Sequence, residues 1–534
     1  MRGTRRAVAD LHHAHADLQT PPGWIRCAVA DIANLQPGYA FKSEWFTKAG
    51  IKLLRGINIE PGRTRWDETV HLSAERATEF SAYQLKASDI VIAMDRPVIS
   101  SGLKIALIVE KDLPALLLQR VGRFQLCGAV EQSYFYRFLS TPHFLRHIGV
   151  LATGTQLPHI SKTDIESAPF LLPPIAEQRR IVAKLEALLV RRRRAKKALD
   201  AIPALLERFR QSVLSAAFRG DLTRDWRAAN PDVEHASKLL ERIRLERRHR
   251  WEKAELERMR AKGKVLKDEK WKAEYQEPEC NDEAEAFGPV SDLGWVVAPV
   301  EGLCDPNRGV PYGIVQTGDE TVDGVPTVRC GDLKDFSIDL ALLKRVAPSI
   351  EHQYARTRLV GGEVLLAIRG TVGGVAVTSE EMRGMNISRE VAMLPVLPGV
   401  DPRFVMYLLA SPVATALLAG RTKGVAQQGV NLSDLRSFPV PLPSLAEQAQ
   451  IVCRVDAAMS RARAIARACE EAVSRTPSLE AAVLAKAFRG ELVPQDPADE
   501  PASALLHRIR EERDKPADNE PSPSPKRRRE TKVA

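Results

Sequence analysis

Apolar positions recur at alternating steps of four and three through Ile181, Leu185, Leu188, Arg192, Ala195, Leu199, Ile202, Leu206, Phe209, Val213 and Ala216. This is a heptad seam, interrupted by the charge of Arg192, and it predicts a long helix. A second seam runs through Ile451, Val455, Ala458, Ala462, Ile465, Cys469, Ala472, Thr476, Leu479 and Val483. Its residues are smaller, so bulky side chains of one helix are expected to nest against small ones of the other. Pro203 and Pro477 lie off the seams and are expected to kink or split each helix near its middle. Roughly 35 helical residues span about 50 Å. Two such helices paired antiparallel make a stiff spacer; the plainer alternative packs each onto its own domain. Elsewhere the pattern shortens. Residues 51–57, 89–94, 103–109, 325–329, 363–368 and 374–378 read as strands, and 135–145 and 403–419 as helices. This predicts an α/β or α+β domain twice, of around 150 residues each.

The chain repeats itself. Ala176-Glu177-Gln178 returns as Ala446-Glu447-Gln448, 270 positions later. Ala217 to Leu222 (AFRGDL) returns as Ala487 to Leu492 (AFRGEL) at the same offset. Residues 236–244 (ASKLLERIR) return as 502–510 (ASALLHRIR) at offset 266. The globular stretches match more weakly, through Gly23-Trp24 with Gly294-Trp295 and Ser140-Thr141-Pro142 with Ala410-Ser411-Pro412. Gln119-Arg120 and Ser388-Arg389 align at offset 269. A period near 270 is too long for a solenoid. It describes a variable globular half and a near-constant helical half, used twice.

Composition narrows the class. Of 534 residues, 44% are hydrophobic and 27% charged, which suits a folded chain and excludes a mainly disordered one. Lys+Arg is 78 against 68 Asp+Glu, a net charge of +10 that permits a polyanionic partner without requiring one. No apolar run reaches membrane-spanning length, and no apolar segment follows the basic N-terminus. The seven cysteines are scattered, with no C-x-x-C pair, which suits a reducing cytoplasm rather than a disulfide framework. Residues 235–275 hold 14 Lys+Arg and 8 Asp+Glu, with Trp251 and Trp271 among the few apolar interruptions. They read as an exposed charged helix. Arg191 to Arg194 with Lys196 and Lys197 read first as a solvated face, and second as a contact for phosphates or an acidic partner. His12, His13 and His15 lack companions for a metal site, and Lys526 to Arg529 lie in a Pro- and Ser-rich tail expected to be disordered.

Catalytic signatures are missing. There is no phosphate-binding loop, no Asn-Pro-Pro-aromatic tetrapeptide of an amino-methyltransferase, and no H-E-x-x-H. Asp268-Glu269-Lys270 falls in the charged spacer rather than on a strand, where a metal-dependent nuclease would need it. What remains are polar and basic residues on expected loops: Arg96, Lys104, Gln119, Arg120 and Arg123 in the first half. In the second they are Arg369, Thr371, Arg389, Arg421, Lys423, Gln427 and Gln428. Arg and Lys pair with guanine edges, Gln with adenine, and all with phosphates. Any one of them equally suits capping or a local ion pair.

The order of variable half, Ala-Glu-Gln entry, long helix and Ala-Phe-Arg-Gly-(Asp/Glu)-Leu, then the same again, resembles the specificity subunit of type I restriction–modification enzymes. The resemblance covers roughly residues 21 to 513. Residues 93–97 (AMDRP), 119–123 (QRVGR) and 429–435 (GVNLSDL) also resemble target-recognition segments of that family. It implies an α+β chain with two α/β-type target recognition domains separated by long conserved helices that form an antiparallel coiled coil. The corresponding division is a flexible head (1–20), a first recognition domain (21–173), a first helical spacer (174–229) and a charged helical insert (230–286). A second recognition domain (287–443), a second spacer (444–492), and a short helix with a disordered basic tail (493–534) follow. The resemblance further implies that each domain reads one half of a split, asymmetric site in double-stranded DNA. The helices set the gap between half-sites and dock two modification subunits. Ile181, Leu185, Leu188, Leu199, Phe209, Val213, Ile451, Val455, Ile465, Leu479 and Val483 would form the helix-pair and partner interface. The chain would itself hold no cofactor and no metal and catalyse nothing. S-adenosylmethionine would belong to the modification subunits, and ATP with Mg2+ to two restriction subunits, all in the cytoplasm. The alternative is a non-catalytic DNA-binding or scaffold protein outside restriction–modification.

Overall fold

A computed structural model describes residues 20–128, 130–151, 158–263, 268–370, 373–420 and 429–514. The head histidines and the Lys526–Arg529 run lie outside the described residues. The chain divides into two units: unit 1 is 1–198 with 471–534, and unit 2 is 199–470. Two helices pass from one unit to the other, Ile175–Phe218 and Leu445–Ala487, of 44 and 43 residues and about 65 Å each.

In unit 1, a four-stranded sheet runs in the order Ile105–Leu107, Ile90–Ala93, Val121–Leu126, Ala33–Pro37, all neighbours antiparallel. A second sheet pairs Ile51–Leu54 with Ala115–Leu117 in parallel and with Val70–Leu72 antiparallel. Unit 2 repeats this plan. Val375–Val377, Val364–Ala367 and Val391–Leu394 form an antiparallel sheet. Val325–Val328 pairs with Asn386–Ile387 in parallel and with Lys344–Val346 antiparallel. Each central strand is buried on both faces, which explains the continuous apolar runs IVIA and VLLA. Each unit is closed by pairing its first strand with its last: Ile25–Ala28 with Pro169–Leu172, and Val296–Pro299 with Pro439–Leu442.

The two expected globular helices are each broken in two. Residues 135–145 divide into Gln132–Phe138 and Pro142–Leu151, and residues 403–419 into Pro402–Leu409 and Pro412–Gly420, the second pair bent by 62°. The cause is Pro142 and Pro412, which lack the N–H a continuing helix needs but suit the first turn of a new one. Pro203 acts otherwise: the long helix runs through it unsplit, with the proline on its exposed side. Among the described residues no single helix is long and apolar enough to cross a membrane.

Within each unit the two long-helix segments pack antiparallel. In unit 1, Ile181 and Leu185 share a core with Leu484 and Ala487, while Arg192 pairs with Glu480. In unit 2, Leu214, Ala217 and Phe218 share a core with Ile451, Val455 and Met459, while Cys469 Sγ lies 3.5 Å from the Leu199 carbonyl oxygen. The seam departs from the heptad reading at five positions: Ala195 and Ala472 are exposed, as are three large residues. Phe209, Ile465 and Leu479 are 44%, 50% and 60% exposed. An α-helix drifts about 20° per heptad against a strict 3.5-residue repeat. The inward line therefore passes through Arg210, Ala466 and Glu480 instead.

The recurring motifs become joints. Glu177 accepts the indole N–H of Trp24 at 2.9 Å, and Glu447 accepts that of Trp295 at 2.9 Å. Gln178 accepts the backbone N–H of Glu131 and donates to the Pro173 carbonyl; Gln448 does the same with Asp401 and Pro443. Ala-Glu-Gln thus fixes the start of each long helix against its domain. At the other end Phe218 packs on Phe404 and Phe488 on Tyr134. Gly220 and Gly490 follow with φ of +75° and +73°, the left-handed turn that stops a helix. Arg219 then pairs with Asp221, and Arg489 with Glu491.

The 236–244 and 502–510 repeat is structural as well. In Ala502–Asp514 the buried side of Leu505, Leu506 and Ile509 joins the core of unit 1, against Val29–Ile32. In Ala236–Ala261, Leu239, Leu240 and Ile243 join the core of unit 2, against Val300–Leu303. The charged insert therefore begins as a core element, and only its continuation past 244 is an addition. There Trp251 packs on Trp271 and Tyr275, with ring centroids 6.1 and 5.4 Å away.

Candidate nucleic-acid interface

Three loops converge beyond the end of the central strand in each unit. In unit 1, Met94 donates its N–H to the Arg120 carbonyl at 2.8 Å and accepts from Ile160 at 2.9 Å. In unit 2, Ile368 donates to the Glu390 carbonyl at 2.8 Å and accepts from Val430 at 2.9 Å. Isolated bridges join Asp95 to His159 and Arg369 to Gly429. These pairings place Asp95 opposite Arg369, Arg96 opposite Gly370, and His159 opposite Gly429. They also shift the loop alignment by one residue. Gln119-Arg120 corresponds to Arg389-Glu390, at offset 270, rather than to Ser388-Arg389.

In unit 1 the Asp95 carboxylate takes both neighbours. Arg120 Nη1 donates to Oδ2 at 2.8 Å, and His159 Nδ1 to Oδ1 at 2.7 Å. Burial alone would raise the Asp95 carboxyl, yet these two hydrogen bonds hold it below its ordinary value. Gln119, Arg120 and Arg96 are exposed. Lys104 is half-buried, and burial pushes its ammonium below the usual range, with Arg96 adding to that and Asp95 opposing it. Arg123 is corrected as a candidate. It is 8% exposed, and its guanidinium donates to Gln36, to Asp89 and to the carbonyls of Ala82 and Gln84. It ties the domain together and presents nothing outward.

In unit 2, Arg369 and Arg389 are exposed on the corresponding loops. Cys330 Sγ donates to Glu390 at 3.1 Å. Thr371, Arg421, Lys423, Gln427 and Gln428 lie outside the described residues. Asp95 and His159 were missed by sequence reasoning. Asp95 adjoins the candidate Arg96 in sequence, and only the fold brings His159 beside it. No group of three or more His, Cys, Asp or Glu side chains placed to hold a metal ion occurs among the described residues.

A duplicated α+β unit, each copy presenting arginines on two of three matched loops and packed against long-helix segments, defines a protein built of two like domains joined by long helices. A model of the type I restriction modification DNA specificity domain matches residues 21–199 and 316–468. The EcoBI specificity subunit of Escherichia coli is 30% identical over 503 residues, 92% of each chain. The EcoAI specificity subunit of the same species is 42% identical over 172 residues, 32% of this chain and 29% of the relative. The HsdS subunit of Thermoanaerobacter tengcongensis has a similar fold, with a TM-score of 0.55 and 20% identity over 89% of this chain and 99% of that one. This chain belongs to the family of type I restriction–modification specificity subunits.

Proposed function

We propose that each unit reads one half of a split, asymmetric site in double-stranded DNA. The long helices, paired as a coiled coil, set the distance between half-sites. The observation that carries this is the double occurrence of one loop array, with the same backbone hydrogen bonds but different side chains. Base readout depends on the few side chains that reach the groove, so like scaffolds with unlike tips suit two different half-sites. The chain catalyses nothing in this reading. It docks two modification subunits, which carry S-adenosylmethionine and methylate adenine at N6, and with them two restriction subunits using ATP and Mg2+, in the cytoplasm. Near-equal joints in both units support two copies of one partner, since like surfaces bind like partners. The test maps N6-methyladenine in a host carrying the candidate modification subunit, with and without this chain. A split motif that appears only with the chain is expected. Co-purification with no change in methylation refutes the reading.

A further inference from the structure

We infer that Asp95 is a positioning residue that aims Arg120 at a guanine in the half-site read by unit 1. This rests on the proposed reading of DNA by that unit, and it specifies the base and the side chains.

Charge comes first. A lone arginine beside DNA is drawn to any phosphate, without regard to sequence. Arg120 is not alone: its ion pair with Asp95 is at 2.8 Å, and the pair carries no net charge. Such a pair gains little from phosphates, and the carboxylate is repelled by them. What it keeps is direction. Arg120 has five N–H groups, of which Nη1 commits one to Asp95, and its side chain is 61% exposed. A guanidinium fork with fixed orientation matches the paired O6 and N7 acceptors of guanine in the major groove. Asp95 spends its other oxygen on His159, so one carboxylate orients two exposed side chains.

The backbone adds an independent observation. Arg120 and Arg96 hold φ of +66° and +44°, a region side chains other than glycine rarely enter. Opposite Arg96, unit 2 has Gly370 at φ +73°. At Arg96 unit 1 thus keeps arginine where unit 2 has glycine, and at Arg120 it holds a positive φ that Glu390 does not share; such strain marks positions where the side chain is wanted. Unit 2 also reverses the charges, with Arg369 opposite Asp95 and Glu390 opposite Arg120. The two units therefore offer opposite charge layouts at the same place.

The experiment uses the full chain assembled with its modification subunits, on a DNA library randomised in both half-sites. Four forms are compared with the parent: R120A, R120K, D95N and the exchange D95R with R120E. R120A is expected to lose discrimination for guanine at one position of one half-site by about 5- to 150-fold, and R120K, which keeps the charge without the fork, to lose part of it, with the other half unchanged. D95N relaxes the same position less. The exchange restores the ion pair but not the guanine, which a merely structural pair would not show. Retained guanine preference in R120A or in the exchange overturns the inference. A parent complex that yields no split motif refutes instead the reading beneath it.

Discussion

Glu177 and Glu447 occupy the same place in the repeat, yet isosteric substitution of each by glutamine is expected to act in opposite directions. Glu447 is 4% exposed and gathers four donors. Oε2 accepts from Trp295 at 2.9 Å, while Oε1 accepts from Thr223 at 2.7 Å and from Arg227 at 2.6 and 3.0 Å. Glutamine offers one oxygen, so E447Q strands a buried donor, at about 1–3 kcal/mol, and weakens the ion pair to Arg227. Breaking a buried pair outright costs about 3–5 kcal/mol. Arg227 keeps access to water, so the expected loss in unit 2 is about 2–4 kcal/mol. Glu177 is 1% exposed, and its Oε2 accepts only Trp24, while Oε1 meets no donor among the described residues. Burial pushes its carboxyl above the ordinary value, against the opposing pull of Trp24 and Arg180. A raised folded-state value means that stability present at low pH is lost as pH rises through it. E177Q keeps the Trp24 bond and removes the buried charge. Unit 1 is therefore expected to be unchanged or more stable at pH 7, by up to about 1 kcal/mol, with the gain shrinking as pH falls toward 4.5. Hydrogen exchange read peptide by peptide gives the opening free energy of each unit separately. Equal losses from both substitutions, or an E177Q difference independent of pH, sink this reasoning.

Three further outcomes are expected. G220A and G490A place a Cβ in left-handed turns, 2.5 Å from Leu293 Cδ1 and 2.7 Å from Pro21 Cγ, at about 1–3 kcal/mol each. The ring of Pro21 yields less than the Leu293 side chain, so urea unfolding is expected to show G490A as the costlier change. His147 is 5% exposed, donates from Nε2 to the Asp164 carbonyl at 2.9 Å, and burial holds its value below 6.5. A depressed histidine adds stability above pH 6.5 that is lost as pH falls through the folded value, so H147Q flattens the acid side of the unit 1 pH–stability curve. L185E, at a position 1% exposed, unfolds unit 1, whereas F209E, 44% exposed, leaves thermal stability intact and weakens co-purification with the modification subunit. An F209E chain that assembles at full yield removes the outward face of that helix as a docking surface.

Much of the fold was legible because the repeat shows the same solution twice. The central strands announced themselves as IVIA and VLLA, since a strand covered on both faces needs no polar alternation. The long helices were visible in their periodicity, but their facing was not. A heptad template put Phe209, Ile465 and Leu479 inward, and a helix of 3.6 residues per turn carried them out. Ser-Thr-Pro and Ala-Ser-Pro stood in plain view as breaks, and only the apolar composition around them argued for continuous helices. Arg123 and Arg120 could not be told apart in sequence, three residues apart and alike in charge. One is turned in by strand alternation and one is held out at the strand's entry. Asp95 and His159 lie 64 residues apart, and no local pattern joins them.

Unit 2 is one continuous stretch of chain, whereas unit 1 is assembled from 1–198 and 471–534. On the ribosome the first recognition domain thus emerges early but cannot finish its core. Leu484, Ala487, Leu505 and Ile509, which complete it, are made only after all of unit 2. Closing a gap of that size is a modest entropic matter, growing only with the logarithm of its length. The wait is another matter, at ~5–20 residues per second. For tens of seconds the apolar faces of Phe170, Ile181 and Leu185 are without their last partners. A ribosome that has not yet released residues 484–509 therefore carries an unfinished unit 1.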